Sequence, residues 1–175
     1  MDSESALKKL MDGNERFLSD VPPPLSDFRL RRDTAANGQH PYAAIVTCSD
    51  SRVVPEIVFN TGIGELFVIR TAGNTIFDGE LGSIDYAVSH LGCGIVVVMA
   101  HTHCGAVHAA LNGHNHGHVG AIVDRISESI GDEEDPTEVS VQNARNSAST
   151  IKESIPEATV VVALYDIESG RVTLQ

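Results

Sequence analysis

Four short apolar runs constrain the fold of this 175-residue chain more than any other feature. They occupy residues 43–47, 66–69, 95–100 and 159–164. Apolar residues follow one another in these runs without the alternation of a half-exposed strand, which is typical of parallel strands that are covered on both faces. We therefore predict four buried strands, and we expect residues 170–174 to return as an edge strand after a turn.

Helical patterns lie between the predicted strands. Apolar residues recur at helical spacing in 3–18, 81–91, 122–130 and 144–155. Gly92 and Gly131 end two of these segments. Asp135 followed by Pro136 is typical of a helix start, with aspartate as the N-cap and proline at the first position. The three prolines at 22–24 cannot continue a helix, so that stretch is expected to run extended.

This order of strands and helices predicts the fold class. Strands that alternate with helices indicate an α/β protein with a central, mostly parallel β-sheet flanked by helices. No repeat or linker divides the sequence, and its length suits a single domain. We expect residues 1–40 to form an N-terminal helix and extended arm, and residues 41–175 to form the α/β core.

Charge and composition narrow the possible partners. The formal net charge of −12 would repel phosphate backbones and anionic lipid surfaces, so neither nucleic acid nor membrane is an expected partner. No apolar run has the length of a membrane span, and no secretory signal is visible. Three cysteines in such a chain suggest a reducing compartment, so a cytoplasmic location is expected.

Two polar motifs follow predicted strands directly. Cys-Ser-Asp-Ser-Arg at 48–52 comes after the first strand, and His-Thr-His-Cys-Gly at 101–105 comes after the third. Ligands gather beyond the carboxyl ends of strands in open parallel sheets. If the first and third strands are neighbours, Cys48, His101 and Cys104 can meet at one point.

Two thiolates and an imidazole suit Zn²⁺, which prefers sulfur and nitrogen ligands in tetrahedral geometry. Three protein ligands leave a fourth position for water, which is the catalytic pattern, and one Zn²⁺ per chain is expected. Asp50 beside Arg52 should be ionised and oriented. Its carboxylate could accept a hydrogen bond from zinc-bound water, or it could itself take the fourth position and inactivate the site.

The two motifs together resemble the signature of the β-class carbonic anhydrases. The similarity extends to residues 64–74, 82–88 and 164–172 in order and spacing, and it is densest between residues 39 and 107. The resemblance implies reversible hydration of CO2 to bicarbonate and a proton through zinc-bound hydroxide. It also implies that Cys48, His101 and Cys104 hold the zinc and that Asp50 and Arg52 are the catalytic pair.

A substrate pocket and an assembly also follow from the resemblance. In plant-like members a Gln, a Phe and a Tyr line the pocket, and Gln39, Phe67 and Tyr86 match them. Ala72 and the backbone of Gly105 would complete it. An apolar slot suits CO2, and the Gln amide would bind the developing bicarbonate oxygen. The family shares this pocket across a tight dimer, so a homodimer or a dimer-based homo-oligomer is implied.

Other functions remain open at this point. The same fold could hydrolyse carbonyl sulfide or carbon disulfide, which are also linear and apolar. A zinc-binding redox sensor without enzyme activity is a third possibility, because zinc thiolates can report oxidation by releasing metal. His90 is either a proton shuttle or a helix-end histidine that interacts with the helix dipole.

Overall fold

Five strands form one sheet in the computed structural model, which describes residues 1–175 apart from the side chain of Ser26. The strands are β1 (Ala43–Cys48), β2 (Leu66–Thr71), β3 (Ile95–His101), β4 (Val160–Tyr165) and β5 (Val172–Leu174). Their order across the sheet is β2-β1-β3-β4-β5. The first four are parallel, and β5 pairs antiparallel with β4. The predicted α/β class with a mostly parallel central sheet and an edge strand is confirmed.

Helices cover the sheet. They are α1 (Ser3–Leu18), α2 (Phe28–Asn37), α3 (Pro55–Val58), α4 (Asp78–Asp85), α5 (Gly105–Leu111), α6 (Gly120–Ser127) and α7 (Pro136–Ser154). Short 3₁₀ turns occupy Pro24–Ser26, Ala72–Asn74 and Gly117–Val119, and a π-helical turn occupies Tyr86–His90. None of the described helices combines the length and the apolar character that crossing a bilayer requires.

Alternate residues of the central strands pack against different helices. Ala44 and Val46 of β1 belong to one core cluster, together with the apolar stripe of α7. Ala43 and Ile45 belong to a second cluster, to which α1 contributes Ala6 and Leu10. Because helices cover both faces, β1 and β3 are buried along their whole length.

Two polar side chains fix the helices that flank the core. The carboxylate of Asp135 accepts hydrogen bonds from the backbone N–H groups of Thr137 and Glu138, which confirms the predicted N-cap of α7. Asn14 of α1 is buried, and its amide donates to the carbonyl oxygens of Val58 and Gly170. The N-terminal helix is therefore anchored on the core of its own chain.

Local structure departs from the sequence prediction in the N-terminal arm, after α4 and at the prolines. The arm expected to run extended within residues 1–40 contains the helix α2, which begins where the Asp27 carboxylate accepts a hydrogen bond from the Arg29 N–H. The helix expected over 81–91 ends at Asp85 and widens into the π-helical turn, in which the Leu91 N–H donates to the Tyr86 carbonyl at 3.1 Å. Pro23 is extended as expected, but Pro24 begins a 3₁₀ turn. Proline fits the first position of such a turn because that residue needs no N–H donor.

Candidate metal centre

The strand order brings the two polar motifs together. β1 and β3 are adjacent and parallel, with Thr47 paired to Met99. Cys48 is the last residue of β1, and His101 is the last residue of β3. Cys104 follows three residues later, directly before α5. The first and third strands are neighbours, as expected, and this places all three side chains at the carboxyl ends of two central strands.

The possible ligand atoms of Cys48, His101 and Cys104 lie within 4.8 Å of one another. All three residues are buried. The two cysteines belong to a small apolar cluster to which α5, α6 and α7 contribute side chains. Three soft or borderline ligand atoms this close together, in a site shielded from bulk water, are suited to bind one zinc ion.

The hydrogen bonds of His101 support a metal-binding role. Its Nδ1 lies 2.8 Å from the carbonyl oxygen of Thr102, which can only accept, so Nδ1 carries the proton. Its Nε2 is then unprotonated, and it is a buried atom with no hydrogen-bond partner among the described residues. A buried lone pair without a partner is costly, and a metal ion would satisfy it. The residues therefore fit zinc.

The two thiols differ in acidity. The pKa of Cys48 is lowered, chiefly because the Cys104 thiol donates a hydrogen bond to its sulfur, with further help from the Gly73 N–H at 3.2 Å. The pKa of Cys104 is raised, because it shares that hydrogen bond with Cys48 and because it is buried. The first thiolate thus forms readily, whereas the second needs a cation to stabilise it.

Asp50 and Arg52 form a two-pronged ion pair just beyond Cys48. Arg52 Nε donates to Asp50 Oδ1 at 2.9 Å, and Nη2 donates to Oδ2 at 2.7 Å. The hydrogen bonds from Arg52 hold the pKa of the Asp50 carboxyl well below its usual range. Arg52 Nη2 also donates to the carbonyl oxygen of His103 at 3.2 Å, which links the pair to the second motif.

The residues expected to line the substrate pocket do not all contact one another. The rings of Phe67 and Tyr86 lie 6.1 Å apart between centroids, and Tyr86 is 47% exposed. Ala72 opens the 3₁₀ turn that precedes α4, and Gly105 is the first residue of α5. Gln39 lies exposed between α2 and β1. Among these pocket residues Phe67 and Tyr86 are in ring contact, and no described contact joins Gln39 to them.

Two residues contact the site in ways the sequence did not reveal. Arg70 Nε donates to the carbonyl oxygen of Cys48 at 3.2 Å, and its Nη2 donates to that of Asp50 at 2.7 Å. Gly73 donates its N–H to the Cys48 sulfur. Both residues fall in the matched segment 64–74, but that match does not say which backbone groups they touch.

Comparison with known proteins identifies the family. A profile of the carbonic anhydrase family matches residues 43–172. Carbonic anhydrase 2 of Mycobacterium tuberculosis is 37% identical over 190 residues, which cover 98% of this chain and 92% of the relative. The carbonic anhydrase of Mycolicibacterium smegmatis is 43% identical over 131 residues, covering 72% of this chain and 64% of that protein.

The solved structures agree with the sequence relatives. The β-carbonic anhydrase CafA of Aspergillus fumigatus superposes with a TM-score of 0.72 at 25% identity. That superposition covers 98% of this chain and 89% of the Aspergillus chain. The chain therefore belongs to the carbonic anhydrase family, and its fold places it in the β class.

Proposed function

We propose that this chain is a zinc-dependent carbonic anhydrase, which interconverts CO2 and water with bicarbonate and a proton. One observation carries the proposal beyond family membership: the buried, unprotonated Nε2 of His101 lies grouped with two cysteine sulfurs. Cys48, His101 and Cys104 hold the ion. When bound, zinc supplies a Lewis acid that makes a water molecule nucleophilic near neutral pH.

Asp50 orients the attacking water. Its carboxylate is kept ionised by Arg52, so it accepts a hydrogen bond and cannot donate one. Acceptance of that hydrogen bond turns the lone pair of the water towards the carbon of CO2. Arg52 is itself tied to the His103 carbonyl, so the carboxylate has a fixed direction before substrate arrives.

The substrate occupies an apolar slot beside the metal ligands. Phe67, Ala72 and Tyr86 exclude water from CO2, which has no charge for polar groups to hold. The amide of Gln39 donates to the oxygen that becomes negative as bicarbonate forms. The backbone N–H of Gly105 closes the slot.

The working unit is a homodimer or a dimer-based oligomer. Two observations support this proposal: Phe28 and Tyr86 are 67% and 47% exposed in the single chain, and Gln39 stands apart from the other pocket residues. A partner subunit would cover such aromatic surface. Sedimentation equilibrium of the purified protein measures the assembly, and a purely monomeric protein would contradict the proposal.

A cytoplasmic location is proposed from the cysteines. All three are free thiols in the structure, and two of them must stay reduced to bind zinc. Fractionation of the cells that produce the protein, followed by detection with an antibody, checks the location. Recovery from an oxidising compartment would contradict it.

The decisive experiment is stopped-flow CO2 hydration by zinc-loaded protein between about pH 7 and pH 9, the range in which a zinc-activated water titrates. We expect fast hydration that disappears when zinc is chelated, returns when zinc is restored and rises with pH. Rates on carbonyl sulfide and carbon disulfide are measured in parallel. A folded, zinc-loaded protein that hydrates no CO2 would overturn the proposal in favour of one of those substrates or a sensor.

A further inference from the structure

The 3₁₀ turn Ala72–Asn74 holds a backbone donor against a metal-binding sulfur. The Gly73 N–H lies 3.2 Å from the Sγ atom of Cys48. Gly73 has a positive φ of 67°, and a Cβ built there would meet the Cδ1 atom of Ile126 at 2.7 Å. The peptide is therefore confined to a conformation and a space that only glycine fits. Such a peptide needs anchors to keep its direction.

Helix α7 supplies two anchors from adjacent turns. Asn143 Nδ2 donates to the carbonyl oxygen of Gly73 at 2.7 Å, and Ser147 Oγ donates to that of Asn74 at 3.1 Å. Residues four apart share one face of a helix, so the two side chains reach consecutive carbonyls. Asn143 is 2% exposed and Ser147 is also buried, so water does not compete for either hydrogen bond.

The turn is further braced from within. Thr71 Oγ1 donates to the carbonyl oxygen of Thr75 at 2.7 Å, and Thr75 Oγ1 donates to that of Ala72 at 3.2 Å. Side chains thus engage every carbonyl from Ala72 to Thr75. Two of these bonds are local, whereas the two from α7 tie the turn to a distant part of the chain. The α7 bonds therefore set the position of the turn relative to the metal centre.

We propose that Asn143 and Ser147 are positioning residues of the metal centre, which hold the Gly73 N–H on the sulfur of Cys48. The inference rests on the proposed role of Cys48 as a zinc ligand. An N–H that donates to a thiolate withdraws electron density from the sulfur and fixes the direction of its lone pairs. Partners of this kind orient the ligand and tune its bond to the metal. Their described hydrogen bonds go to the turn and not to Cys48, His101 or Cys104.

Zinc affinity and a cobalt spectrum test this role. Asn143→Ala and Ser147→Ala are compared with wild type and with Asn146→Ala, a control on the same helix. Asn146 also makes a side-chain hydrogen bond, but to Ser129 rather than to the turn. Zinc dissociation constants are obtained by competition with a chromogenic chelator. The energy of the thiolate-to-metal charge-transfer band is read from the cobalt-loaded proteins.

We expect Asn143→Ala to weaken zinc binding about tenfold and to shift the charge-transfer band. Ser147→Ala should act in the same direction by a smaller factor, because it leaves the bond to Gly73 intact. Asn146→Ala should change neither quantity. If Asn143→Ala does not fold, the two measurements on Ser147→Ala decide.

Two results would overturn the inference. One is wild-type zinc affinity and an unmoved band in both variants. The other is equal weakening in all three variants without a band shift, since that reports loss of helix packing alone. The proposed function can fail separately from this inference. If the wild-type protein binds zinc but hydrates no CO2, the proposed activity is refuted. If the variants still change zinc affinity and the charge-transfer band as expected, the positioning role is retained.

Discussion

At the scale of single residues, the candidate metal centre uses both side chains and backbone groups, and only the side chains were predicted from the sequence. Cys48, His101 and Cys104 were accessible to sequence reasoning because each ends or follows a predicted strand and carries distinctive chemistry. Gly73 acts through a backbone N–H, and Asn143 reaches it from 70 residues away. An asparagine within an ordinary helical pattern gives no sign of such a contact, because the contact depends on how α7 packs against the distant turn.

Replacement of Asp50 by asparagine separates orientation of the water from zinc binding. Asparagine has one acceptor oxygen, whereas the Asp50 carboxylate has two, and Arg52 donates to both of them. The amide therefore cannot accept hydrogen bonds from Arg52 and from the water as the carboxylate does. We expect one zinc per chain and a CO2 hydration rate lowered by roughly a hundredfold to ten-thousandfold. Stopped-flow kinetics and metal analysis measure the two quantities.

The Asp50–Arg52 ion pair also bears on how the activity lost in Asp50→Asn depends on pH. Because Arg52 lowers the pKa of Asp50 below its usual value of about 4, the carboxylate is ionised at every pH from about 5 upward. Titration of the Asp50 carboxyl should therefore add no pH dependence to the ratio of wild-type to Asp50→Asn activity between about pH 6 and pH 9. Asp132→Asn, in an exposed loop, is the control. Full activity of Asp50→Asn would refute the assigned role.

The three cysteines provide a matched test of metal binding. Cys93 is buried like the other two, but its sulfur contacts the Pro41 carbonyl at 3.5 Å and burial raises its pKa to about 11. Cys48→Ala and Cys104→Ala should lose zinc and CO2 hydration together. Cys93→Ala should keep both. Metal content after gel filtration gives the answer, and full zinc occupancy in Cys48→Ala would refute the ligand assignment.

At the scale of elements, hydrophobic periodicity predicted the helices that carry an apolar stripe and missed those that do not. α1 and α7 carry apolar stripes over 16 and 19 residues, which is long enough for the period to show. α3 has only four residues, and none of the described residues of α2 is buried, so neither displays a stripe. The π-helical turn at Tyr86–His90 was missed because its apolar residues also fit an ordinary helix.

The N-cap of α7 gives a prediction about stability alone. Asp135→Ala removes the acceptor for two backbone N–H groups and should lower the free energy of unfolding by about 1 kcal/mol. Zinc affinity should stay at the wild-type value, because the first turn of α7 lies well before Asn143. Urea denaturation of the zinc-free protein measures the change. Glu134→Ala, an exposed acidic neighbour, is the control, and an equal loss there would refute the cap.

At the scale of the whole molecule, the proposed dimer is expected to complete the proposed pocket. Gln39 is exposed in the isolated chain, and no described contact joins it to the ring pair of Phe67 and Tyr86. If Gln39 serves the partner's site, a Gln39→Ala chain paired with an Asp50→Asn chain contains one intact site. That site combines Asp50 of the first chain with the partner's Gln39. If Gln39 serves its own chain, every site in the mixed dimer is defective.

Co-expression of the two variants therefore distinguishes the arrangements. Random pairing makes about half of the dimers mixed, so about a quarter of all sites should be intact. We expect the co-expressed sample to recover CO2 hydration clearly above the mean of the two separate variants. Mixing the purified homodimers just before the assay is the control, since their subunits have had no time to exchange. Activity equal to the mean in the co-expressed sample would show that the pocket does not combine Gln39 with a partner's Asp50.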